Sequence, residues 1–282
     1  MTPRSWLYVP GDRPDRIRKA LASDADAVVL DLEDAVAPSA KRDARRNVVD
    51  ALAAGSAAYV RINAPATPDG ADDVALLAAA PAAPAGIRVP KSEDPDELRR
   101  VADALGVPVF PVLESALGVE NALLLATAHP LVAGISLGEA DLAADLRAGG
   151  DALAWPRSRV VVAARAAGLP SPPQSVWTAV RDLDGLRADT HAGRRAGFFG
   201  RSVIHPAQIP VVHEACVPDP DDVAWARDLM SRLAEHGGAG SKAAWIDSAG
   251  RFVDKAVVER AAWLLDAAAS AESAARPVKE GH

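Results

Sequence analysis

The sequence predicts an α/β chain folded as a (β/α)8 barrel with a C-terminal helical, lid-like extension. Three observations carry this expectation. Over residues 1–215 short β-rich runs alternate with amphipathic helical stretches, the runs number eight, and charged residues collect where the runs end. An open doubly wound sheet is the other arrangement that such alternation allows.

In chain order, residues 6–9 form the first expected strand and 14–23 the first helix. Strands at 27–32, 58–62 and 86–89 follow, separated by helices at 40–53 and 71–79. The helix at 94–105 has an explicit start: Asp94 is a capping residue, Pro95 suits the first turn, and Asp96 and Glu97 complement the positive end of the helix. The fifth strand, 107–113, runs into Glu114, and after a helix at 119–127 the sixth, 132–138, leads to Asp141. Helices at 157–167 and 183–195 flank a weaker seventh strand at 174–178, and 200–204 completes the set.

The tail, 216–282, differs in character and is expected to contact a neighbouring subunit. Residues 219–235 read as a helix with Trp225, Leu229 and Leu233 on one stripe. The glycine-rich stretch 237–241 is an expected flexible break, 242–254 resembles a hairpin, and 255–270 is a last amphipathic helix.

Composition bounds the function. A net charge of −7 argues against nucleic acid as a partner, because phosphate backbones call for a basic excess. The single cysteine, Cys216, excludes an intrachain disulfide and a cysteine-based zinc site. No apolar run reaches the ~20 residues of a membrane span, and the start of the chain has no secretory apolar segment. A cytoplasmic location and no membrane partner are expected.

Parallel strands deliver their C-terminal ends to one rim, which is where barrels bind ligands. The residues expected there are Arg13 after strand one, Glu33 and Asp34 after strand two, and Arg61 and Asn63 at strand three. Lys91, Glu114, Asp141, and His205 with Pro206 follow the fourth, fifth, sixth and eighth strands. Glu114 and Asp141 are two carboxylates on successive strands, a donor set that suits a hard divalent cation such as Mg²⁺ retaining several waters. Read singly, Glu114 is equally a salt-bridge acid and Asp141 a helix cap. Arg61 inside an apolar strand needs a counter-ion, for which Glu33 or Asp34 is the expected partner. Arg13, Arg16 and Lys19 offer a basic face for phosphate groups, or an ordinary solvated one.

Several stretches carry a resemblance. Leu7-Tyr-Val-Pro-Gly-Asp-Arg-Pro-Asp-Arg16, Asp31-Leu-Glu-Asp-Ala-Val36, Val60-Arg-Ile-Asn63, Pro90-Lys91, Leu113-Glu-Ser-Ala-Leu-Gly118, Gly138-Glu-Ala-Asp141, Ile204-His-Pro-Ala-Gln-Ile209 and Phe252-Val-Asp254 run in order along most of the chain. Together they resemble the citrate lyase β-subunit-like (CitE-like) branch of the HpcH/HpaI aldolase superfamily. The resemblance implies a TIM barrel, Mg²⁺, a coenzyme A thioester and a homotrimer. It also implies reversible carbon–carbon cleavage of citryl-, malyl- or citramalyl-type CoA esters.

By position, the resemblance makes Glu114 and Asp141 the metal ligands and Arg61 the catalytic arginine. Glu33 and Asp34 become an acidic pair beside the metal. Asp254, otherwise a helix cap, becomes an acid–base that one subunit lends to the next. Arg13, Arg16, Lys19, Lys91, His205 and Pro206 become the coenzyme-binding rim. Two departures touch the metal loop: Glu139 stands one position earlier than the extra acid of citrate lyase β subunits, and 146–150 lacks the usual glycine after its leucine. The readings left open are a class II aldolase on pyruvate-type substrates, a malate synthase or thioesterase, and a non-catalytic CoA-binding protein.

Overall fold

The computed structural model describes residues 2–235, 245–246 and 252–274. They fall into two compact units, Thr2–His213 and the chain from Glu214 onward.

The first unit is built on a parallel sheet. In chain order its elements are β1 (Ser5–Pro10), α1 (Pro14–Leu21), β2 (Ala27–Asp31), α2 (Lys41–Ala53), β3 (Tyr59–Arg61), α3 (Pro68–Ala78), β4 (Gly86–Val89) and α4 (Pro95–Leu105). Then come β5 (Val109–Leu113), α5 (Ala116–Glu120), α6 (Ala122–Ala126), β6 (Ser136–Leu137), α7 (Glu139–Asp145), α8 (Ala154–Ala166), α9 (Leu183–Arg195), β7 (Arg201–Val203) and α10 (Gln208–Cys216). The strand order is β6-β5-β4-β3-β2-β1-β7, all parallel, so β1 to β6 neighbour one another in sequence order with helices in the crossovers between them, and β7 adds beside β1. β2 and β4 are buried at every position, as strands covered on both faces should be.

The sheet is curled. β1 and β5 are four places apart in it, about 19 Å if it were flat. Yet the rings of Trp6, Tyr59 and Phe110, from β1, β3 and β5, meet edge to face at 4.8–5.7 Å between centroids. Gly86 and Gly134 make room for this aromatic plug, since a Cβ on either would sit 2.9 Å or 3.1 Å from the Phe110 ring. Two residues further along their strands, Tyr8 and Arg61 form the next layer up, with Arg88 beside them.

Several expectations needed correction. The seventh strand, 174–178, reduces to one bridge between Gln174 and Arg201, because the prolines at 170, 172 and 173 remove ladder donors just before it. The segment still spans a gap: Ser175 Oγ donates to the Leu137 carbonyl and Gln174 N–H to that of Gly200. The sixth strand is two residues plus a bridge from Val132 to Val109. The helix expected at 119–127 is two short ones meeting at Asn121, whose side chain donates to the Glu93 carbonyl. Helix α7 begins at Glu139, so Asp141 lies in its first turn and is not its cap, and α10 has no counterpart among the expected elements. The helix at 183–195 is found with the expected bounds, and Asp94 caps α4 as expected, accepting the Asp96 N–H.

In the second unit, α11 (Pro220–Glu235) and α12 (Lys255–Ala274) pack Ala226 and Leu229 against Val253, Ala261 and Leu264. β8 (Trp245–Ile246) and β9 (Phe252–Val253) pair antiparallel, the core of the expected hairpin. The glycine-rich stretch 237–241 lies outside the described residues. Among the described residues no helix is long and apolar enough to cross a membrane.

A buried polar lattice fixes the loop after β2. Lys41 Nζ donates to the carbonyls of Leu32 and Glu33 and to Asn63 Oδ1, satisfying all three of its protons. Asn63 in turn donates N–H and Nδ2 to Asp73 Oδ2, and Asp73 Oδ1 accepts from Arg45 Nε at 2.6 Å. Asp73 is fully buried, so removing its charge strands two donors of Asn63 and leaves Arg45 to its more exposed partner Asp69. Asp73→Ala should lower unfolding free energy by about 3–5 kcal/mol, measurable as a shift of the urea midpoint.

Candidate active site

The C-terminal ends of the strands enclose a cavity of about 460 Å³ lined by Arg61, Arg88, Glu114 and Asp141, with Arg16 and Asp34 at its edge. A second cavity, about 610 Å³, shares Glu114 and Asp141 and adds Lys91. The two acids far apart in sequence therefore face the same space.

Glu114 follows the last residue of β5 and is almost fully buried. Gly138, at the turn after β6, packs directly on it: a Cβ there would lie 2.5 Å from Glu114 Cγ. The glycine is thus what admits the carboxylate. Asp141 sits in the first turn of α7 and is exposed, open to a ligand. Asp145, on the last turn of α7, accepts the Ala116 N–H at 2.7 Å and ties the Asp141 helix to the segment after Glu114.

Arg61 ends β3. Its Nε and Nη2 donate to the two oxygens of Asp31 at 2.7 and 2.5 Å, and Nη1 lies 2.9 Å from Glu33 Oε2 and 3.6 Å from Asp34 Oδ2. The expected Glu33 and Asp34 contacts are present, but the main partner is Asp31, which the sequence reading placed inside a motif without a role. Asp31 was legible in one respect, as a charged residue in an otherwise apolar strand. Burial alone would lower the Arg61 pKa, but the hydrogen bonds and charge of Asp31 and the charge of Glu33 raise it, so the group stays a cation. These contacts leave hydrogens on both terminal nitrogens uncommitted, and Arg61 lines the cavity.

Lys91 connects the two halves of the site. Its Nζ donates to Glu33 Oε1 at 2.8 Å and lies 3.9 Å from Glu114 Oε2, while its backbone N–H points at the same Glu114 oxygen at 3.3 Å. Its φ of 49° is in the left-handed region that side chains avoid, a strained conformation of the kind held at functional sites. Burial opposes its charge, but the Glu33 hydrogen bond prevails and its pKa is raised.

The other expected site residues are distributed as follows. Arg13 and Lys19 are exposed on and before α1, with Arg13 3.5 Å from Asp15, and neither lines the cavity. His205 and Pro206 are also exposed outside it, while the adjacent Ile204 lines it. Asp254 belongs to the second unit, where its Oδ1 accepts the Val257 N–H and caps α12. Glu139, the acid one place out of the family pattern, is held by Arg157 Nε at 3.0 Å.

Among the described residues no three His, Cys, Asp or Glu side chains converge as a metal cage. Glu114 and Asp141, which both line the cavity, could hold a hard cation such as magnesium whose other positions go to solvent or ligand. Electrostatics agree. Burial, together with the nearby charges of Glu33 and Asp141, pushes the Glu114 carboxyl up to about 7, outweighing Lys91. Glu33 is raised as well, chiefly by burial. A cation among these acids would relieve the repulsion.

The chain belongs to the HpcH/HpaI aldolase/citrate lyase family, whose model matches residues 4–206. It is 36% identical to a citrate lyase subunit beta-like protein of Deinococcus radiodurans, over 93% of this chain and 96% of the relative. It is also 36% identical to a (3S)-malyl-CoA thioesterase of Cereibacter sphaeroides, over 89% of each. Human mitochondrial citramalyl-CoA lyase is 29% identical over 83% of this chain and 76% of that protein. Among solved structures, CitE of Mycobacterium tuberculosis in complex with magnesium, acetoacetate and coenzyme A superposes with a TM-score of 0.82 at 32% identity, covering 94% of this chain and 98% of that one.

The Glu114 shift has a measurable consequence. Its folded pKa of about 7 exceeds the ~4.3 of an unfolded glutamate, so the folded state holds the proton more tightly. Stability of the metal-free protein should therefore fall as pH rises from about 4.3 through about 7. Melting curves in a chelator should show this, Glu114→Gln should flatten it, and added magnesium should raise Tm most at the alkaline end.

Proposed function

We propose that this protein is a magnesium-dependent carbon–carbon lyase that cleaves or forms 3-hydroxyacyl-CoA thioesters of the citryl-, malyl- or citramalyl-CoA type. The observation that carries the reading is the shared cavity: two carboxylates suited to a hard cation face a guanidinium that still has N–H groups to offer. The lyase among its relatives, and the magnesium and coenzyme A bound by its structural relative, support the same chemistry. We read the curled sheet as a full (β/α)8 barrel in which the 174–175 segment takes the eighth place, supported by its hydrogen bonds to both flanking strands.

Glu114 and Asp141 would hold the metal. A magnesium ion held there would supply Lewis-acid stabilisation to oxygen atoms of the acid half. In the cleavage direction a base removes the hydroxyl proton and the C–O bond becomes a carbonyl. The C–C bond breaks, and its electron pair passes to the acetyl thioester as an enolate. Arg61 offers N–H groups to the enolate oxygen as charge develops there, held in place by Asp31, with Glu33 and Asp34 behind it. Lys91 and Glu33 tie the Arg61 side of the pocket to Glu114. The carbon of the enolate then takes a proton, which we assign to Asp254 of a neighbouring copy in a homotrimer. Arg13, Arg16, Lys19 and His205–Pro206 are proposed to meet the coenzyme, whose charged part stays at the exposed rim. The thioesterase among the relatives favours a second reading, in which water attacks the thioester in the same pocket.

Two experiments test this. Glu114→Ala and Asp141→Ala should each abolish magnesium-dependent turnover of malyl-, citramalyl- and citryl-CoA, and Arg61→Lys should reduce it about 10²–10³-fold. Mass analysis separates a 2-oxo acid plus acetyl-CoA from free CoA plus the hydroxy acid, the thioesterase products. Unchanged turnover in the two alanine variants defeats the metal assignment. For Asp254, mixing Asp254→Asn with the strongly impaired Arg61→Lys protein should raise activity above that of either alone, because mixed trimers rebuild complete sites; no recovery from exchanging subunits overturns the assignment.

A further inference from the structure

Four of the deeply placed arginines have carboxylate partners: Arg4 has Asp26, Arg45 has Asp69 and Asp73, Arg61 has Asp31 and Glu33, and Arg201 has Asp189. Arg88 does not. It is 2% exposed and lies on β4 opposite Arg61 in the register, and among the described residues no acid is within ion-pairing distance of it. Its Nη2 donates to Ser136 Oγ at 2.6 Å, and the guanidinium sits 5.2 Å from the Trp6 ring and 5.8 Å from the Tyr8 ring. Nε and Nη1 are buried with no hydrogen-bond partner.

One hydroxyl and two aromatic faces compensate a buried cation less than a counter-ion does. A purely structural arginine could stack there, but it would leave donors unmet that an apolar side chain would not bring. Arg88 also lines the cavity that holds Glu114, Asp141 and Arg61. Beneath it the aromatic plug of Trp6, Tyr59 and Phe110 closes the interior. Around it Ser136 and Ser202 are small. Arg88 therefore puts an incompletely compensated positive charge on the wall of this cavity.

We propose that Arg88 is a specificity-determining residue that binds a second carboxylate on the acid half of the substrate, so that the favoured cleavage product is a 2-oxo dicarboxylate. The inference rests on the proposed lyase reading. In that reading Glu114 and Asp141 would hold one end of the acid half, and Arg88, on the wall of the same cavity, is the positive charge left for the remaining substituent on its oxo carbon. Hydrogen or methyl would leave Arg88 unpaired, whereas a carboxymethyl group would supply its missing anion and accept from the free N–H groups.

The test is calorimetric binding of freshly prepared oxaloacetate and of pyruvate, each with magnesium, to wild type, Arg88→Met and Arg88→Lys. Wild type should bind oxaloacetate at least about tenfold more tightly than pyruvate, the size expected of a charge-assisted contact. Arg88→Met should lose that margin with pyruvate affinity unchanged, and Arg88→Lys should keep part of it. The kcat/KM ratio of citryl-CoA to citramalyl-CoA should fall in parallel. Equal binding of both acids by wild type overturns the inference while leaving the lyase reading intact. Equal weakening of both acids in a folded Arg88→Met protein also overturns it, because it marks a merely structural arginine. Should Arg88→Met fail to fold, the wild-type preference and the lysine variant still decide. If wild type binds neither acid, the metal-site reading itself fails and takes the inference with it.

Discussion

A line of alternating charges runs across four strand ends, and the candidate site depends on it. Asp31 grips Arg61, Arg61 meets Glu33, Glu33 accepts from Lys91, and Lys91 approaches Glu114 from both its backbone and its ammonium. Each member offsets part of its neighbour's charge where little water reaches. The line ends in Glu114, whose carboxyl is pushed up to about 7 because Lys91 does not fully offset burial and the nearby acids. A divalent cation beside Glu114 and Asp141 would supply the missing positive charge.

Beneath this line lies the parallel register, which brings every strand to the rim at the same end. The lattice of Lys41, Asn63, Asp73 and Arg45 adds precision at one point. By consuming the carbonyls of Leu32 and Glu33, it holds the loop after β2 in the shape that aims the Glu33 side chain at Arg61 and Lys91. None of these lattice residues touches the cavity, yet two of the proposed catalytic groups take their positions from them.

Much of this was legible in the sequence. Alternation of strand and helix gives the order of the parallel sheet, and charges at strand ends give Glu33, Arg61, Lys91, Glu114 and Asp141. The short sixth and seventh strands were overread because apolar or β-branched runs look alike whether or not prolines and bends let them pair. Asp31 and Arg88 were missed as site residues for a different reason. They lie inside strands, where a side chain's direction follows from the pleat and its partner from a register that no local pattern reveals. Glu139 shows the converse: a charged residue in a suggestive motif turns out to hold Arg157, and only the fold distinguishes it from Asp141. The exposed basic residues Arg13 and Lys19 do not line the cavity, so their proposed role requires the coenzyme to extend beyond it.

Lys91 pairs an unfavourable backbone with a side chain that bridges Glu33 and Glu114. At a φ of 49° glycine would relax the chain, so substitution there ought to make a sturdier protein. The same change would cut the connection between Glu33 and Glu114. Selection for heat resistance alone would thus be drawn to this position and would sever the line of charges that the proposed function uses.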